Sequence, residues 1–164
     1  MMVFRGEVRS VGELLAASLV EPGPVLATDV GVRHTAAGNA KACRNLLAEG
    51  EGLDACWRFG VLQTLDDYTS TLRRGGPGLA AGVFVDEPEL TGAGEADAAF
   101  AALADHLAER DGWSPPVWAL DPARRTTAWY PSVPAIFRAD ADRESPRAFR
   151  QRGIFLTARS LFRA

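Results

Sequence analysis

Between Leu53 and Arg74, apolar side chains recur at Trp57, Val61, Leu65, Tyr68 and Leu72, in steps of four, four, three and four. That spacing places them on one stripe of an amphipathic helix, with Asp66, Asp67, Arg73 and Arg74 between them. Gly60 lies inside this helix, where glycine costs roughly 1 kcal/mol relative to alanine. The run Gly75-Gly76-Pro77-Gly78 predicts its end. A second alanine-rich helix is predicted from Glu95 to Arg110, with Ala96, Phe100, Leu103 and Leu107 on one face and Asp111-Gly112 closing it.

Weaker patterns fill the rest. Ser10-Val-Gly-Glu13 has the form of a capping box and starts a helix that Pro22-Gly23-Pro24 stops. The polar segment from Asp29 reads as a loop entering a helix at Gly38 or Asn39, with Cys43, Leu46 and Leu47 inward and Gly50 at its end. For Leu79–Val85 periodicity does not choose between a helical turn and a strand. Asp86–Glu89 and Thr91–Gly94 read as an acidic connector.

The last third, from Trp113, is built of short pieces. Residues Val117–Leu120 make one helical turn between Pro115-Pro116 and Asp121-Pro122. Ala135–Asp142 forms a short helix. Ser145-Pro146 starts another, with serine at the cap and proline at the first helical position, and Gly153 closes it after two turns. Thr157 caps a last helix carrying Leu161 and Phe162. The pattern is mainly α: a single compact domain over residues 1–164, five to eight helices with short irregular C-terminal elements. A weak subdivision separates residues 1–82 from 83–164.

Composition narrows the classes. An apolar fraction of 47% with 24% charged residues is that of a globular chain, and no run is long enough to span a bilayer. The N-terminus lacks the layout of a secretory signal, so a cytoplasmic location is expected. Cys43 and Cys56 are then expected as buried free thiols, and without a Cys-x-x-Cys pair no structural zinc is expected. Charge is uneven. Residues up to 112 carry nine basic and seventeen acidic side chains, and those from 113 carry nine and four. A basic last part suggests internal neutralisation or a surface for an anion or acidic partner. A pI near 5.4 and the lack of a recognition helix argue against nucleic acid.

No nucleophile elbow, phosphate loop, dinucleotide fingerprint or zincin helix occurs, so no catalytic residue and no cofactor is assigned. The carboxylate pairs Asp66-Asp67 and Asp140-x-Asp142 read as solvated faces rather than metal ligands. The strongest candidate surface alternates aromatic and basic side chains: Trp118, Arg124, Arg125, Trp129, Tyr130, Arg147, Arg150 and Arg152. These residue types anchor protein interfaces, because they bury large rigid surface and keep a polar handle. The alternative is a small enzyme or ligand-binding protein with a pocket between the Arg33-His34 loop and the C-terminal part.

The helix from Glu95 to Ala108, with Pro116-Val-Trp118, Arg124-Arg125, Trp129, Ser145-Pro146-x-x-Phe149-Arg150-x-Arg152-Gly153-Ile-Phe155 and Leu161-x-Arg163-Ala164, resembles a domain of uncharacterised actinobacterial proteins. In many of these the domain follows an Xre-type helix-turn-helix, and they look like antitoxin or regulator partners of nucleotidyltransferase-like toxins. The resemblance covers about residues 83–164. Residues 1–82 hold no convincing helix-turn-helix, since no recognition helix follows closely after Thr35–Leu47. What the resemblance implies here is therefore a protein partner, a toxin enzyme, rather than DNA.

Overall fold

The structure, a computed structural model, describes residues 31–162. The helix expected from Ser10 lies outside the described residues. Val32–Ala164 forms one compact unit, so residues on both sides of position 82 share one core. The described residues are mainly helical, and no strand occurs among them.

Helix α1, Ala36–Ala48, begins earlier than the glycine at 38 suggests, because Thr35 is its cap: the Thr35 hydroxyl accepts from the Gly38 amide at 3.1 Å. Ala36, Ala40 and Cys43 face inward. The long helix is three pieces in line. Helix α2, Leu53–Cys56, runs into a π-helical turn, Trp57–Val61, and then into α3, Leu62–Ala81. The stripe Trp57, Val61, Leu65 and Tyr68 is buried as its spacing predicts. The path does not end at the glycine run. Gly76 breaks the helix with φ 77°, and Pro77, suited to a first helical position, restarts it to Ala81. A 3-10 turn at Gly82–Phe84 follows, so residues 79–84 are helical rather than extended.

Helix α4, Gly94–Asp111, is the axis of the core. It was expected to bury one face, yet every residue from Ala96 to Asp105 is buried. Its alanines let neighbours approach on all sides, which makes it a helix enclosed by protein rather than an amphipathic one. Gly112, at φ 76°, caps it in the left-handed conformation.

The C-terminal part consists of 3-10 turns at Val117–Leu120, Ala135–Phe137 and Ala158–Leu161, with α5 at Arg138–Glu144 and α6 at Arg147–Arg150. Ser145 does not cap α6. Its hydroxyl instead donates to the Ile154 carbonyl at 3.0 Å and accepts from the Leu156 amide at 3.3 Å, stapling the next segment. A single parallel bridge pairs Trp129 with Ile154. Trp129 donates to the Gly153 carbonyl at 2.8 Å, and Phe155 donates to the Trp129 carbonyl at 2.9 Å. Gly153 is required there. Its φ is 76°, and a Cβ would lie 2.0 Å from the Thr126 carbonyl oxygen.

Candidate functional site

The tryptophans fasten the C-terminal part to the helical core. Trp113 donates to the Tyr68 hydroxyl at 2.9 Å, which donates to Asp111 at 2.6 Å. Trp118 is buried and donates to the Phe84 carbonyl at 3.0 Å. Trp129 is half-buried and meets Trp57 edge to face at 5.8 Å. Tyr130 stacks on Phe155 and donates to Asp142. Trp113, Trp118 and Trp129 pack against the helical core, while Tyr130, half-buried, keeps its hydroxyl bond at the surface.

The arginines divide in the same way. Arg152 is only 6% exposed; it bonds Asp105 at 3.0 Å and donates to the Ala148 and Ala119 carbonyls. Arg147 reaches the other Asp105 oxygen at 3.1 Å and Glu109 at 3.2 Å. Both therefore neutralise α4, so much of the basic excess after residue 113 is spent inside the molecule. Arg125 and Arg150 are exposed. Arg124 and Arg152, expected at a surface, are buried and held by groups of their own chain, and Trp118 is buried with one edge in the wall of a groove.

Arg124 is the exception that is not fully held. It is 4% exposed, lies over the Trp118 ring at 5.4 Å, and donates through Nη2 to Glu87 at 3.0 Å and to the Pro88 carbonyl at 2.7 Å. Its Nε and Nη1 are buried without a partner. A buried donor left unmatched costs about 1–3 kcal/mol, so such a group calls for an explanation.

Beside Arg33 and His34 lies a small cleft of about 280 Å³, walled by Asp67, Ser70, Thr71 and Arg74 of α3. The C-terminal part does not line it, which corrects the expected location of that pocket. His34, Ser70 and Asp67 line one cleft, but no hydrogen bond links them, and Asp67 is taken by the Asn39 and Gln63 amides. That arrangement activates no nucleophile.

Cys43 and Cys56 are buried free thiols, each donating to the other residue's carbonyl oxygen. Burial pushes Cys43 up to about 12 and also raises Cys56, which suppresses their thiolate forms. His106 packs edge-on against Phe149, and burial lowers its pKa. No group of three metal-ligating side chains occurs among the described residues. Among the same residues no helix is long and apolar enough to cross a membrane.

The exposed apolar groups lie elsewhere. Val85, Val117 and Leu120 are 70%, 89% and 54% exposed. They surround one groove of about 680 Å³, walled by Pro116 and Pro122 and edged by Glu87 and Asp121. Sequence reading missed this surface, since turns of three or four residues show no periodicity and an exposed valine looks like a core one. No protein-family model, curated protein or solved structure matches the chain.

Proposed function

We propose that this chain is a non-enzymatic, cytoplasmic protein-binding protein that docks on a partner through its C-terminal part. The observation that carries the reading is the group of exposed aliphatic side chains, Val85, Val117 and Leu120, around one groove. Apolar groups gathered at a surface and edged by charge favour association, because covering them removes apolar area from water. The edge residues Glu87 and Asp121 are acidic, so the matching partner surface is apolar with a basic margin. The resemblance of residues 83–164 to antitoxin-like regulators suggests what the partner is: a toxin enzyme of the nucleotidyltransferase type. Two free thiols agree with a reducing compartment.

The test is binding of the purified chain to the products of its neighbouring genes, measured by calorimetry for the wild type and two variants. Val117→Asp with Leu120→Asp places charge in the groove and is expected to weaken binding by about a hundredfold or more. Arg150→Ala, at an exposed position with no ion pair to another described residue, is expected to change it little. Unchanged affinity of the Val117→Asp/Leu120→Asp variant would overturn this docking surface.

A further inference from the structure

Cys43, within α1, and Cys56, at the end of α2, face each other between two helices whose Cα atoms come within 8 Å of one another. Their contact is reciprocal. The Cys43 thiol donates to the Cys56 carbonyl at 3.6 Å, and the Cys56 thiol donates to the Cys43 carbonyl at 3.9 Å. The two thiols also hydrogen-bond each other. A disulfide forms where cysteine backbones lie within about 7 Å and their side chains converge, and crossed hydrogen bonds of this kind are that convergence.

The surroundings favour one oxidation product over the others. Both residues are 0% exposed, and they are the chain's only cysteines. Cys43 Sγ rests on the bare backbone of Gly60, where a Cβ would lie 2.0 Å from the sulfur and 3.3 Å from Phe100 Cζ. A core closed this tightly has no room for a small-molecule adduct on either sulfur, whereas a bond between the two sulfurs removes two hydrogens and adds nothing. Charge points the same way. Burial, the Cys56 thiol and Asp97 push Cys43 up to about 12, and burial raises Cys56. Surroundings that penalise a thiolate leave an uncharged disulfide unpenalised.

We infer that Cys43 and Cys56 form a redox latch: a small disulfide oxidant converts the two thiols into one intramolecular disulfide that ties α1 to α2 in their native packing. In an opened chain, one cysteine thiolate attacks the oxidant's sulfur–sulfur bond and expels a small thiolate, leaving a mixed disulfide. The second cysteine, its proton lost to solvent, attacks the protein-side sulfur and expels the second small thiolate. Both cysteine sulfurs are oxidised, the oxidant is reduced to two thiols, and these take up the two protons released. The loop closed, residues 43–56, is short, so its ends meet often while the chain is open. Refolding then seals the bond away from attacking thiolates. The latch needs no partner and is separate from the groove at Val117.

The experiment oxidises the full chain with glutathione disulfide in urea, returns it to buffer, and compares it with the reduced chain. By mass spectrometry the product is expected to be a monomer lighter by two hydrogens, with no glutathione attached. It is expected to regain the helical circular dichroism of the reduced chain and to unfold at higher urea. In glutathione redox mixtures, approached from both the oxidised and the reduced chain, the disulfide is expected to persist at a ratio of oxidised to reduced glutathione about tenfold or more lower in buffer than in urea. Cys56→Ser is expected to show the same urea midpoint before and after oxidant treatment. A glutathione adduct or linked dimer as the main product, failure of the oxidised chain to regain its helical signal, or equal glutathione ratios in buffer and urea would each overturn the latch.

Discussion

Asp105 shows how a charge is kept inside the core. It is buried on α4, and its two oxygens are divided between Arg147 and Arg152. Arg152 is itself buried and donates to two carbonyls besides, so its removal leaves one Asp105 oxygen and two buried carbonyls without their donor, with Arg147 on the other Asp105 oxygen alone. Arg152→Ala is expected to destabilise the fold by about 3–5 kcal/mol in urea denaturation, against within about 0.5 kcal/mol for exposed Arg150→Ala. Equal losses for the two would show that the Arg152–Asp105 pair is not what holds the segment after α6 to α4. His106 makes a second residue-scale prediction. Burial lowers its folded-state pKa below the ordinary 6.5, so the unfolded chain binds the extra proton first. Stability from the neutral ring is complete above the unfolded value and is lost as pH falls from there toward the folded one. Thermal midpoints should drop more steeply with acidification below 6.5 in the wild type than in His106→Phe; parallel curves would remove His106 as the cause.

At the scale of elements, the π-helical turn at Trp57–Val61 changes the sign of an expectation. Helix propensity alone makes Gly60 a weak point that alanine would improve. In the fold a Cβ at Gly60 would sit 2.0 Å from Cys43 Sγ and 3.3 Å from Phe100 Cζ, because α1 and α4 both close on this turn. Gly60→Ala is therefore expected to cost about 1–3 kcal/mol through overpacking, and to cost about 1 kcal/mol less when Cys43→Ala has removed the sulfur. Strict additivity of the two changes would show that the sulfur is not the obstacle. The same turn marks where sequence reading succeeds and fails. The Trp57–Tyr68 stripe and the alanine-rich helix were legible, since burial of a face leaves a periodic trace. The turn at 117–120 was legible from its flanking prolines, which act locally, whereas Ala135–Asp142, read as one short helix, is a 3-10 turn running into α5. The fates of Arg124, Arg150 and Arg152 were not, because a guanidinium that pairs with Asp105 and one that meets water look the same in a string. Ser145 is similar: the letters Ser-Pro announce a cap, while its hydroxyl is claimed by Ile154 and Leu156, which only the return of the chain brings near.

At the scale of the whole molecule, the question is whether the helical core and the irregular C-terminal part open together. Their joints are Trp129 on Trp57, Trp118 on Phe84, Trp113 on Tyr68 and the two arginines on Asp105, spread over most of the described chain. Cys43 and Cys56 are the chain's only two cysteines, and both are fully buried near Gly60, on elements that do not touch Arg152 through any hydrogen bond. Their thiols are held protonated by burial, so a disulfide reagent reacts with them only in molecules that have opened. If the unit opens as a whole, the rate of thiol modification follows the global unfolding equilibrium. A loss of 3 kcal/mol or more in Arg152→Ala should then raise the modification rate of both cysteines about a hundredfold or more, although the substituted residue is on the far side of α4 in sequence. Thiol rates equal to the wild type's, in a variant whose denaturation midpoint has fallen, would mean that α1 and α2 keep their packing while the C-terminal part detaches. The first outcome makes the C-terminal part structurally inseparable from the core, and places the groove at Val117 on a surface as firm as the helices beneath it.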